Sequence, residues 1–285
     1  MSAAKGGNLF AKMLDKINHP LEYIIIVAPS AGLIALTLRV GRTYSMHPRR
    51  HNPARPGKQQ NSINDLLEAI FNDDRAAATR LLRREPALAT CQVREAQLFR
   101  TKILHWLYVN DSPLHLAAAG YRLQIAHMLL KAGADPNAAA NHRKGRPLHY
   151  AADGYVVSPI YDAKRQVRML QCLLNAGADL GAIDKNGATA LHRAVRTRCA
   201  AAVKFLLEAG TNPDLPNRNG STPLHLAVQD TGRGGSGAAV AREAQIEIVK
   251  LLLDRRANRK TKDARGHTAA QCARNVEIRR MVEWR

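Results

Sequence analysis

Four histidines stand in nearly the same company: His115 in DSPLHLAA, His149 in GRPLHYAA, His192 in GATALHRAV and His225 in GSTPLHLAV. An imidazole can act as general base, proton shuttle or metal ligand, so four of them pose the first chemical question. A catalytic or metal site is a single asymmetric cluster and is not copied, neighbours included, along a chain. The repetition therefore points to a framework role, because a ring at a helix start has backbone partners at hand. Residues 232–237 (GRGGSG) have the spacing GxGxxG, which in a nucleotide-binding turn lets the backbone approach a pyrophosphate. No strand pattern precedes them, so they read as a flexible insertion. The cysteines Cys91, Cys172, Cys199 and Cys272 lie far apart, with no CxxC pair and no Cys/His group at zinc-ligand spacing. They read as small apolar residues. The expectation is no catalytic residue, no cofactor and no metal, hence no enzyme.

The elements that carry the histidines show a period. The four markers are separated by 34, 43 and 33 residues, and a recurrence near 33 signals repeated supersecondary units. A second element follows each marker: LLKAGADPN at 129–137, LLNAGADLG at 173–181, LLEAGTNPD at 206–214 and LLDRRANRK at 252–260. In the first three units the marker precedes the glycine of the AG pair by 18, 28 and 18 residues, so the long interval is one unit with an insertion. Each unit has a physical reading. Gly187 supplies the positive φ of a turn, Thr189 offers a hydroxyl as helix N-cap, and Pro or Ala opens a short first helix. A second helix presents Val203, Leu206 and Leu207 at helical spacing and stops at Gly210. Such helices are too short to stand alone, so neighbouring units must stack into a solenoid.

Composition agrees with a close-packed helical body: 285 residues, 46% apolar and only 5% aromatic. The charge is +20 with pI near 10.4, and the 43 basic residues divide into 30 Arg and 13 Lys. Such a balance attracts carboxylates and phosphates alike. Residues 23–38 carry no charge over 16 positions and are followed, in 39–58, by six basic residues and no acidic one. A helix of that length rises about 24 Å, short of the ~30 Å hydrocarbon core, and Pro29 and Gly32 weaken it further. It reads as an extension in preference to a membrane anchor or a signal peptide. Had it inserted, the positive flank would leave the remainder in the cytoplasm, which is where the body is expected. Residues 41–61 crowd Pro, Arg, Asn and Gln together and read as a linker.

The units resemble ankyrin repeats, with the TPLH and LLxxGAD elements matched almost letter for letter. The likeness extends to a divergent first repeat at 63–89, with Leu66, Leu67, Ile70 and Phe71 inward, and to a truncated last repeat at 267–282, where Gln271 takes the marker place. The resemblance implies an all-α repeat solenoid of stacked helix-turn-helix ankyrin repeats with short β-hairpin connections. About six repeats then occupy residues 62–285, behind an extension at 1–61, with insertions at 92–110, 155–164 and 231–243. The first holds Trp106 and Tyr108 and is read as a plug for the first groove in preference to a partner anchor. The resemblance also implies that the TPLH histidine and threonine hydrogen-bond across hairpin and helix start. It implies a non-enzymatic, monomeric scaffold that binds another protein through hairpin tips and the inner face of first helices. Mapped here, those places are Arg143, Lys144 and Arg146, then Lys185 and Asn186, Arg196 and Thr197, Arg218 and Asn219, and Arg265. Residues 137–146 and 259–267 each carry +3, which suits an acidic protein surface. The alternative partner is a polyanion, nucleic acid or an anionic membrane surface, held by the basic tail and fingers. Against it stands the lack of aromatics interleaved with the fingers.

Overall fold

The computed structural model describes residues 58–99, 101–103, 105–154, 156, 158, 160–230 and 239–283. The apolar stretch 23–38, the linker up to residue 57 and the glycine-rich residues 231–238 lie outside the described residues. Among the described residues, six helix pairs follow one another: α1 (Lys58–Asn72) and α2 (Arg75–Arg84), α3 (Pro113–Ala119) and α4 (Leu123–Lys131), α5 (Pro147–Ala152) and α6 (Ala163–Asn175), α7 (Ala190–Arg196) and α8 (Ala200–Glu208), α9 (Pro223–Ala227) and α10 (Ala239–Asp254), α11 (Ala269–Cys272) and α12 (Val276–Glu283). First helices pack in one row and second helices in another, each against its neighbours in the row and its own pair mate. The chain is an all-α repeat solenoid.

Local sequence explains the elements. Proline stands at the start of α3, α5 and α9, where its missing N–H costs nothing. At α7, Thr189 accepts the N–H of His192 through its hydroxyl. Gly210 ends α8 at φ +94°, so that Thr211 N–H reaches back to Leu206 O at 3.1 Å, a six-to-one closure that an L-residue adopts only with strain. Arg256 takes the same place after α10 at φ +58°. The core is the seam between rows: Leu114, Leu148, Leu191 and Leu224 from first helices meet Ile125, Leu170, Val203, Leu206 and Ile248 from second helices, all buried. Each such side chain contributes about 2 kcal/mol. Helices of four to seven residues persist through that packing rather than through propensity.

The insertion at 92–110 folds as an antiparallel hairpin, β1 (Gln97–Phe99) against β2 (His105–Leu107), with Gln97 opposite Leu107. Val93 and Asn110 close its base, and Ile103 and Leu107 are buried while the Phe99 ring lies 5.2 Å from that of Phe71. The expected insertions end sooner than the sequence suggests. Asp162 caps α6, so Ala163 and Lys164 are already helical. Helix α10 opens at Ala239, and Ala241 is buried. Two buried arginines also take part in the framework. Arg122 donates to Ile70 O and Phe71 O at the end of α1, and Arg198 donates to Ala227 O and Gln229 O at the end of α9. Each brings positive charge to the negative end of a helix.

Candidate interaction surface

The four marker histidines have both ring nitrogens in use. Nδ1 of His115, His149, His192 and His225 accepts the backbone N–H of Ser112, Arg146, Thr189 and Thr222 at 3.0, 3.1, 3.2 and 3.3 Å. A ring that accepts at Nδ1 carries its proton on Nε2. That N–H points at the next finger, to the carbonyls of Gly145, Ala188, Ser221 and His267, at 3.0 to 3.2 Å. Burial favours the neutral form of three of these rings, His115, His149 and His192. His149 and His192 are pushed down to about 4 and His115 is lowered, in each case chiefly by loss of solvent. No lone pair remains for a metal and no proton for a substrate, so these residues position the surface and do not act on a ligand.

The hairpin β1–β2 fills the groove of the second and third repeats. Asp111, fully buried, accepts the Tyr108 N–H and the Tyr150 hydroxyl at 2.7 Å each and the Asn141 amide at 2.8 Å, tying hairpin base, first helix and finger together. The His105 ring packs 4.5 Å from that of Tyr150, with Nε2 3.7 Å from Asp153. Beneath lies an ion cluster: Arg193 bonds Asp184 at 2.6 Å and Asp153 at 3.3 Å, and Arg196 approaches Asp153 at 3.8 Å. Burial works against the Arg193 charge, but the two carboxylates outweigh it and raise its pKa. The cavity left between His105, Tyr108, Arg143, Tyr150 and Arg193 is about 20 Å3, room for a single water. The hairpin is thus a plug, with Trp106 turned outward and 38% exposed.

The fingers are held to one another by main chain. Lys185 N–H donates to Arg143 O at 2.8 Å, Arg218 N–H to Asn186 O at 2.9 Å, and Ala264 N–H to Asn219 O at 2.9 Å. Within the fingers, Asp184, Asn217 and Asp263 accept N–H groups of the turn through Oδ1 and bond the carbonyl that follows it. A Cβ on Gly220 would stand 2.6 Å from the Ala264 nitrogen, so only glycine allows that approach. Gly187 occupies the corresponding place in the preceding finger, and Lys144 in the one before that, at φ +51° and exposed.

Of the residues expected to meet a partner, Lys144, Asn186, Arg218, Asn219 and Arg265 are exposed on this ladder, and Lys185 is half-buried beside them. Arg143 lies 4.5 Å over the Tyr108 ring, joining the finger to the outer side of the hairpin. Arg146 spends its guanidinium on Asp179 at 2.9 Å. Arg196 is partly exposed above Asp153. Thr197 is a correction: it is fully buried and its hydroxyl donates to Arg193 O, because the first helix turns inward at its end. The structure also gathers three residues that the sequence reading left apart, Asp263, His267 and Cys272, with ligand atoms all within 4.8 Å of one another. No helix among the described residues is long and apolar enough to cross a membrane.

A family model of ankyrin repeats in three copies matches residues 160–235, and a single ankyrin repeat model matches residues 110–141 and 219–264. No curated protein matches the chain.

Proposed function

Since the chain is an ankyrin-repeat protein, and such arrays generally serve as protein-binding modules, we propose that it is a non-enzymatic scaffold that captures an acidic protein surface on its basic fingers. The observation that carries the reading is the finger ladder. Lys144, Lys185, Arg218 and Arg265 rise from successive turns whose backbones are bonded together, so their charges stand in fixed register. Lys144 strengthens it. A lysine held in left-handed backbone costs roughly 1 kcal/mol where glycine would cost nothing, and strain retained at an exposed cation points to use. The plugged groove of the second and third repeats moves the contact outward, to the fingers, the outer side of Tyr108 and the exposed Trp106.

Arg196 stands partly exposed on the first helix of the fourth repeat. The four cysteines form no disulfide, which fits a reducing compartment such as the cytoplasm. The test is capture by the full-length protein with and without nuclease, compared with the variant K144E/R218E/R265E. Capture that survives nuclease and is lost in the triple variant supports an acidic protein partner. Capture abolished by nuclease, with affinity falling steeply as salt rises, would replace it with nucleic acid.

A further inference from the structure

The last finger carries donor atoms that the others lack. Asp263, His267 and Cys272 stand at intervals of four and five residues, the register of Asp184, Ala188 and Arg193 in the fourth repeat. There the arginine reaches the carboxylate at 2.6 Å, so this register brings the ninth residue after the aspartate onto it. In the last repeat the arginine is replaced by a thiol and the alanine by an imidazole, and three different ligand atoms converge within 4.8 Å.

The framework under them is rigid. Asp263 N–H donates to His267 O at 2.8 Å across the turn, and Lys262 and Thr268 form a β-bridge behind it. The carboxylate is oriented by the N–H groups of Arg265 and His267, both on Oδ1 at 2.9 and 3.0 Å. Thr268 caps α11, and the Gln271 side chain reaches back to its N–H at 2.9 Å, fixing the step from His267 to Cys272. The His267 carbonyl is in turn gripped by His225, which secures the finger to the preceding repeat.

We propose that Asp263, His267 and Cys272 form a three-residue site for a borderline divalent transition metal of the Zn2+ class. One carboxylate, one imidazole and one thiolate match Zn2+ and Co2+ and disfavour Ca2+ and Mg2+, which take oxygen alone. Metal–ligand bonds of about 2.0–2.3 Å place tetrahedral donors nearer together than the present limit, so closure takes small side-chain rotations. The fourth position goes to water. The bound ion would staple turn to helix in the sixth repeat. This site is independent of the partner reading above, and either can fail alone.

Full-length protein, reduced and freed of metal by chelation, is titrated with Co2+ and then with competing Zn2+. One equivalent of Co2+ is expected to raise visible ligand-field bands and a near-ultraviolet thiolate charge-transfer band, both displaced by Zn2+. Cys272→Ser should remove the charge-transfer band, and His267→Ala should weaken uptake by at least about tenfold. The double variant H267A/C272R gives the last finger the residue types of the fourth, and it should keep its helical circular dichroism while binding no Co2+. Failure of the unaltered protein to take up stoichiometric Co2+, uptake without a charge-transfer band, or uptake that persists in the double variant would each overturn the site.

Discussion

His149 donates from Nε2 to the carbonyl of Ala188, 39 residues further on, at 3.0 Å, while its Nδ1 accepts the N–H at the start of its own helix. One such ring in each of the second to fifth repeats therefore fastens its repeat to the finger of the next. Protonation at Nδ1 would remove the acceptor and place a cation among buried groups.

Acid should loosen the array before its carboxylates titrate. His149 and His192 fall from the ordinary 6.5 to about 4 in the folded chain, so the unfolded chain binds their protons first. Their contribution is fully present above pH 6.5, shrinks as pH falls towards 4 and is exhausted below it. By pH 5 the loss amounts to about 2 kcal/mol per ring. Urea unfolding at pH 7.5 and pH 5 measures it, and equal midpoints would contradict the assignment of neutral buried rings.

Removing one ring should be costly for structural reasons alone. His192→Ala strands the buried Thr189 N–H and takes one of two donors from the Ser221 carbonyl, which keeps the Asn217 N–H, for an expected loss of roughly 1–3 kcal/mol. The same loss should appear with chelator present, because no metal is involved at that ring.

Lys144→Gly should separate stability from binding. Relief of the left-handed backbone is expected to stabilise the fold by about 1 kcal/mol, while loss of the cation weakens partner capture. Thermal unfolding and capture measured on the same sample check both signs, and a destabilised variant would show that the lysine side chain is part of the framework.

Trimming between α9 and α10 has a defined limit. Deleting residues 232–237 is expected to leave the helical circular dichroism intact, since closure free energy varies slowly with loop length. Extending the cut through residue 243 removes the first turn of α10 and the buried Ala241, and should lower the unfolding midpoint.

The frame was legible because it repeats. The period, the caps and the stop at Gly210 all follow from local chemistry written several times over, and so does the framework role of the histidines. The non-repeating parts were harder. Three-residue strands such as QLF and HWL are too short to show alternation, so the hairpin was visible only as an aromatic excess. Thr197 looked like surface because its burial depends on how α7 ends. Arg122 and Arg198 entered the reading only as part of the net charge, though each caps a neighbouring helix. The three donors of the last finger escaped notice because each is of a different type and none forms a close Cys or His pair. Setting the fourth and sixth units side by side would have exposed them, since Asp184–Arg193 and Asp263–Cys272 occupy the same register.

The rungs that join Arg143 to Lys185, Asn186 to Arg218 and Asn219 to Ala264 are made by main-chain N–H and C=O groups. Side chains at 185, 218 and 264 are consequently spectators of their own alignment, and any residue with an N–H can stand there without moving its neighbours. Proline is the exception, because it would cut the rung. Selection is thereby free to change what the fingers read one letter at a time, at almost no risk to folding, so close homologues can diverge in partner while sharing this frame unchanged.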